Sequence, residues 1–140
     1  MLEDKIMKIV MINHTFQQEN FSKRWKLLAQ KHHDWDVTLL APEEWTWGDS
    51  KTLTFGVVET KKGYEVDEEN YHVHTVKITK TPNFGWTSDE MIDYIRKNKP
   101  DIVYHIGSHT QESLMQILDY KRKECPNLKV YAFLFARFLL

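Results

Sequence analysis

Hydrophobic positions recur along this chain with two periods, one of strands and one of helices. From Ile6 to Ile12 the apolar character is nearly continuous, as in a strand buried on both faces of a parallel sheet, which predicts a central strand. The run stops at a polar, glycine-free turn, Asn13-His14-Thr15. Phe21, Trp25, Leu28 and Ala29 then fall on one face of a helix starting near Asn20, with Lys23, Arg24, Lys26 and Lys31 mostly toward solvent. Asp36 to Ala41 is a second β-rich run closed by Pro42, completing a βαβ unit whose crossover is right-handed by default.

The pattern weakens between Pro42 and Gly63, where a loop or irregular hairpin is expected, and returns as alternation from Tyr71 to Thr79. There Tyr71, Val73 and Thr75 share one face and His72, His74 and Val76 the other. Thr87 with Glu90 has the capping-box form ahead of Met91, Ile92 and Ile95, and Pro100 ends that helix. Asp101 to Ile106 repeats the opening design, an apolar strand running into a polar turn, Gly107-Ser108-His109-Thr110. Ser108 and Gln111 predict the next cap, and Leu114, Ile117 and Leu118 the buried stripe of the helix behind it. Lys121, Arg122 and Lys123 suit its C-terminal dipole, and Leu128 to Phe135 is a final strand. The alternation of strands and helices predicts an α/β fold with a mostly parallel central sheet.

With 140 residues the chain is one domain, residues 1–140, with room for a real core. A net charge of −1 offers no electrostatic reason for a nucleic-acid partner. One cysteine, Cys125, cannot form an internal disulfide, so the expected compartment is the cytoplasm. The apolar run near the start is too short to span a bilayer and lacks a cleavage site. The last residues, Ala136 to Leu140, are apolar apart from Arg137. They imply a terminal strand packed within the domain or a homodimer, or a chain that is the front half of a larger protein, which is preferred.

The loops exclude several chemistries. No Gly-x-Gly-x-x-Gly or Walker loop follows the first strand, no paired acids stand there for a phospho-receiver, and Gly107-Ser108-His109 lacks the second glycine of a nucleophile elbow. What remains on the strand-end loops is neutral hydrogen-bonding groups and imidazoles: Asn13, His14, Thr15, Ser108, His109 and Thr110. Such groups suit a polyhydroxylated ligand, while singly each is more often a helix cap or a solvated loop residue. His72 and His74 lie at i and i+2 on one side of a strand and could chelate a metal. Without a cysteine or carboxylate at a set spacing, no metal is expected. Trp45, Trp47 and Trp86 could stack on sugar rings but more often plug the rim of a core.

The succession Lys8 to Asn13, Arg24 to Ala29, Val37 to Pro42, and Lys99 to Tyr104 with Gly107-Ser108 resembles the N-terminal domain of group 1 (family 4) glycosyltransferases of the GT-B fold. The resemblance implies a Rossmann-like (flavodoxin-like) three-layer sandwich forming the acceptor side of a two-domain, retaining transferase, inactive alone. It implies no cofactor and no metal. The nucleotide-sugar is a substrate held mainly by a C-terminal domain that this chain lacks, and the partners are that domain and a sugar or glycolipid acceptor. The location it implies is the cytoplasm or the inner membrane face. By the same resemblance the substrate-binding residues are Asn13, His14, Thr15, Phe16, Gly107, Ser108 and Thr110. The family's cleft histidine falls at Ile106 here, His105 should point to the opposite face, and His109 is its substitute as catalytic residue. The alternatives are a stand-alone flavodoxin-like binding or interaction module and a small sugar-nucleotide-binding protein.

Overall fold

The computed structural model describes residues 5–17, 19–47, 59–82, 85–106 and 111–133. In chain order they form β1 (Met7–Ile12), a 3-10 turn (His14–Gln17), α1 (Glu19–Lys31), β2 (Trp35–Pro42), β3 (Glu44–Trp47), β4 (Glu59–Lys62) and β5 (Val66–Glu68). There follow β6 (Tyr71–Val76), β7 (Thr79–Thr81), β8 (Gly85–Thr87), α2 (Asp89–Asn98), β9 (Ile102–Ile106), α3 (Gln111–Glu124) and β10 (Lys129–Phe133). Six strands make one sheet in the order β10-β9-β1-β2-β6-β5. All pairings in it are parallel except that of the edge strand β5 with β6. The fold is therefore mixed α/β with a mostly parallel sheet, and β1 is central as its apolar run predicts.

From β1 the parallel strands run outward in both directions, β2 and β6 to one side, β9 and β10 to the other, so the order reverses between β1 and β9. A flavodoxin-like sheet would place the first strand between the second and the third. Here β1 lies between the second and fourth parallel strands, which corrects the flavodoxin-like expectation.

The pleat divides the core in two. Val10, Ile12, Leu40, Val76 and Val103 pack with Trp86 and with Met91, Ile92 and Ile95 of α2 and Ile117 of α3. Ile9, Met11, Val37, Leu39, Ala41, Tyr71, Val73 and Ile106 pack with Phe16 and with Ala29 of α1. Two helices sit rotated from the faces their apolar residues suggest. In α1, Phe21 is exposed while Ser22 is buried, its hydroxyl hydrogen-bonded to the Glu19 carbonyl and to the Tyr64 hydroxyl. In α3, Leu118 is exposed while Ser113 is buried against His105. In both helices a serine with an internal partner takes an inner position, which apolar counting cannot anticipate.

Helix α2 starts one residue later than the capping-box reading places it. The Ser88 hydroxyl accepts from the Met91 N–H at 3.1 Å and donates to the Lys77 carbonyl. Glu90 accepts the Lys77 N–H instead of closing a box with Thr87. The helix ends at Lys99, whose φ of 48° and N–H bond to Ile95 turn the chain before Pro100. The Asn70 amide donates to the carbonyls of Ala29, His32 and Trp35, fastening the end of α1 and the entry to β2 onto the β5–β6 turn. β3 and β4 pair antiparallel in the segment after Pro42 where a loop or irregular hairpin is expected. Gly63 beyond it has no room for a side chain, since a Cβ would lie 2.9 Å from the Pro42 carbonyl oxygen.

Tyr71, at 4% exposure, carries a testable consequence of this packing. Burial pushes its phenol up to about 12, against a lowering from Ser22. The neutral phenol is thus favoured by the folded state, and its contribution is complete below the unfolded value near 10. Stability should fall by up to about 2 kcal/mol as pH rises from 10 to 12. Urea midpoints of Tyr71→Phe should lack this component of the decline, and an identical decline in both proteins would show that Tyr71 is not its source.

Candidate functional site

In an open α/β sheet a ligand crevice forms at the carboxyl ends of the strands where the strand order reverses, because the loops there diverge to opposite faces. Here that place is the end of β1 beside the end of β9. Asn13 occupies it, 4% exposed. Its Nδ2 donates to the Ile106 carbonyl at 2.5 Å, its Oδ1 accepts from the Thr15 N–H at 2.7 Å, and its backbone N–H reaches the Leu40 carbonyl. One side chain therefore ties two strand ends and shapes the turn between them, a use that leaves little of the amide for a ligand.

His14 and Thr15 follow, both half-buried in the 3-10 turn. The His14 ring stacks on Trp45 at 4.7 Å, and the Lys80 ammonium lies over the Trp45 ring, 5.6 Å from its centroid. Trp45 is 3% exposed and Trp86 wholly buried, so both act as core plugs. Phe16 is likewise buried at 2%, packed with Ala29 and Leu39, and forms the floor beneath the turn. Among the described residues of this turn, those left partly accessible are therefore His14 and Thr15. Gly107, Ser108, His109 and Thr110 lie outside the described residues, as does the apolar end, Ala136 to Leu140.

His105 points toward α3, away from the Ile106 side, with Nε2 hydrogen-bonded to the Ser113 hydroxyl at 2.7 Å and both residues wholly buried. It is a core histidine. Arg96 pairs with Asp93 within α2 and with Glu124 of α3, the latter joining the two helices at the surface, and both pairs are structural.

A second polar cluster lies on β6, beside the β5 edge of the sheet. Strand pairing sets Asp67 opposite His72 on one side and Thr38 opposite it on the other. His72 Nδ1 meets Asp67 Oδ1 at 2.7 Å and His72 Nε2 meets Asp36 Oδ1 at 2.9 Å. His74 Nδ1 meets Glu65 Oε2 at 3.0 Å and His74 Nε2 meets Asp67 Oδ1 at 3.4 Å. Burial raises the Glu65 carboxyl, but the Thr75 N–H and hydroxyl and the His74 ring outweigh it and hold the group below the usual carboxylate range. The residue spacing sets these histidines aside for want of nearby carboxylates. Three are present, brought in by β2, by β5 and by Glu65 just before it, and β5 is too short to register as a period-two run.

Among the described residues no helix is long and apolar enough to cross a membrane. Compared with known proteins, the chain matches no family model, no curated protein and no solved structure. What the structure defines is a class: a mixed α/β fold with a mostly parallel sheet and a polar turn at its point of strand reversal.

Proposed function

We propose that this chain is the Rossmann-like, acceptor-side domain of a GT-B-type glycosyltransferase, working in the cytoplasm or at the inner membrane face. The observation that carries the reading is the reversal of strand order between β1 and β9, with a glycine-free polar turn there pinned by Asn13 to Ile106. A turn without glycines does not let a pyrophosphate approach the backbone closely, whereas neutral side chains and an imidazole suit sugar hydroxyls. On this reading His14 and Thr15 bind the acceptor, Asn13 and Phe16 hold the turn in shape, and Gly107, Ser108 and Thr110 are further acceptor-binding residues. His109 takes the role of the family's cleft histidine. The nucleotide-sugar donor binds mainly to a second domain, with retention of configuration and no cofactor in this half. Helices packed on opposite faces of the sheet suit the three-layer arrangement such a domain requires.

The test is a titration of the protein with neutral disaccharides and, separately, with uridine and guanosine diphosphate sugars, followed by amide and imidazole NMR shifts. Saccharides should move the Thr15 amide and the His14 ring at millimolar concentration, His14→Ala should weaken that response at least threefold, and diphosphate sugars should bind no better. Absence of any saccharide response at this turn would overturn the reading. Micromolar binding of a diphosphate sugar would favour a sugar-nucleotide-binding protein instead. A stand-alone interaction module is favoured by one observation, the edge strand β10 with Tyr131 at 48% and Phe133 at 55% exposure. Sedimentation showing dimers that Phe133→Lys dissociates would support it.

A further inference from the structure

We propose that Asp67, His72 and His74 form a binding site for a divalent transition-metal ion of the zinc type. One potential ligand atom from each of the three lies within 4.8 Å of the other two. The convergence is specific: His72 Nδ1 and His74 Nε2 both point at the same atom, Asp67 Oδ1. Their rings are nearly parallel, 7° apart with centroids separated by 6.2 Å, as alternate residues on one strand face require.

What distinguishes the cluster from an ordinary surface network is the fate of the other ring nitrogens. His72 Nε2 is held by Asp36 and His74 Nδ1 by Glu65, so each imidazole has a carboxylate behind the nitrogen that does not face Asp67. Carboxylate–histidine–metal arrangements are built this way, because the outer carboxylate fixes the ring's tautomer and orientation and raises the basicity of the ligating nitrogen. Glu65 is itself anchored by the N–H and hydroxyl of Thr75, at 2.9 and 2.7 Å. The Tyr94 ring packs beside His74 and its hydroxyl bonds to Thr38, giving the site a fixed wall on the α2 side.

Two imidazoles and a carboxylate favour zinc, cobalt or nickel over magnesium and calcium, which prefer oxygen ligands throughout. Tetrahedral coordination with bonds of about 2.0–2.1 Å sets ligand atoms about 3.3 Å apart, so the widest separation in the trio must contract by roughly 1.5 Å at most. Its position at a sheet edge permits that contraction. Side-chain exposures of 22% for His72, 30% for His74 and 66% for Asp67 leave a fourth position open to water. The site lies on β6, away from the β1–β9 turn, and does not depend on the sugar-binding reading.

The experiment is calorimetric titration of tag-free, chelator-treated protein with Zn2+, with Co2+ absorption reporting coordination geometry. One equivalent should bind in the micromolar range or tighter, raising Tm, whereas Mg2+ should not. His74→Ala and Asp67→Asn should each weaken Zn2+ binding at least 100-fold. Glu65→Gln should weaken it about 10- to 100-fold through ring positioning while preserving the Co2+ spectrum. His33→Ala, in the turn after α1, should leave it unchanged. Failure to take up Zn2+, or uptake undiminished by both His74→Ala and Asp67→Asn, overturns the proposal. Asp67→Asn changes one exposed side chain and decides the matter should His74→Ala fold poorly.

Discussion

Trp86→Ala should lower the free energy of unfolding by about 3–5 kcal/mol, read from urea denaturation followed by circular dichroism. The indole is wholly buried and packs in the cluster that joins Val76, Met91, Ile92 and Ile117, so it links the sheet with both α2 and α3. A side chain at Gly85 before it would run into the Glu112 carboxylate and the Thr81 hydroxyl, so the position takes glycine. Among the described residues the indole N–H has no hydrogen-bond partner. Trp86→Phe, which removes that donor and keeps most of the apolar surface, should therefore cost no more than about 1.5 kcal/mol. Equal losses for alanine and phenylalanine would mean that the N–H is satisfied in solution and that its hydrogen bond, rather than the packing of the ring, sets the cost.

Asn13→Ala should cost about 3 kcal/mol, a large loss for a single polar truncation. The residue is buried, and its removal strands two groups, the Ile106 carbonyl and the Thr15 N–H. A buried group left without a partner costs about 1–3 kcal/mol, and here the Asn13–Ile106 bond is buried and the Thr15 bond partly so. Asn13→Asp separates the two bonds. Its carboxylate still accepts from Thr15 but faces the Ile106 carbonyl with no proton to offer, so the ionised form is disfavoured and the folded-state pKa rises above the unfolded value. For such a group the stability is present below the unfolded pKa near 4 and is lost as pH rises through the folded one. Asn13→Asp should thus be markedly more stable at pH 4 than at pH 7 relative to the parent protein. Equal destabilisation at the two pH values would show that the Nδ2 bond to Ile106 contributes little.

The fold was largely legible because its strongest signals are local. The runs Ile6 to Ile12 and Asp101 to Ile106, the Pro42 and Pro100 stops and the periodic apolar residues of α2 each report their own element. The misreadings cluster where a polar side chain has an internal partner. Ser22 and Ser113 displace Phe21 and Leu118 from the inner faces of their helices, and Ser88 displaces Thr87 as the cap. Hydropathy assigns such residues to solvent, while a hydrogen bond made on folding reverses that assignment. The accessible part of the candidate turn, His14 and Thr15, stands out by its place after β1. That Asn13 and Phe16 serve the turn's own architecture can be read only from their contacts.

By itself the sequence determined the positions of the five parallel strands and the three helices, that β1 is buried on both faces, and that a polar turn without glycines follows it. These depend on periodicity and on residues adjacent in the chain. Only the tertiary structure decided that β9 lies against β1, that Asn13 bridges them, and that Asp36, Glu65 and Asp67 gather around His72 and His74. Those facts depend on strand order and register, which are set by the packing of both sheet faces together and leave no mark at fixed spacing along the chain.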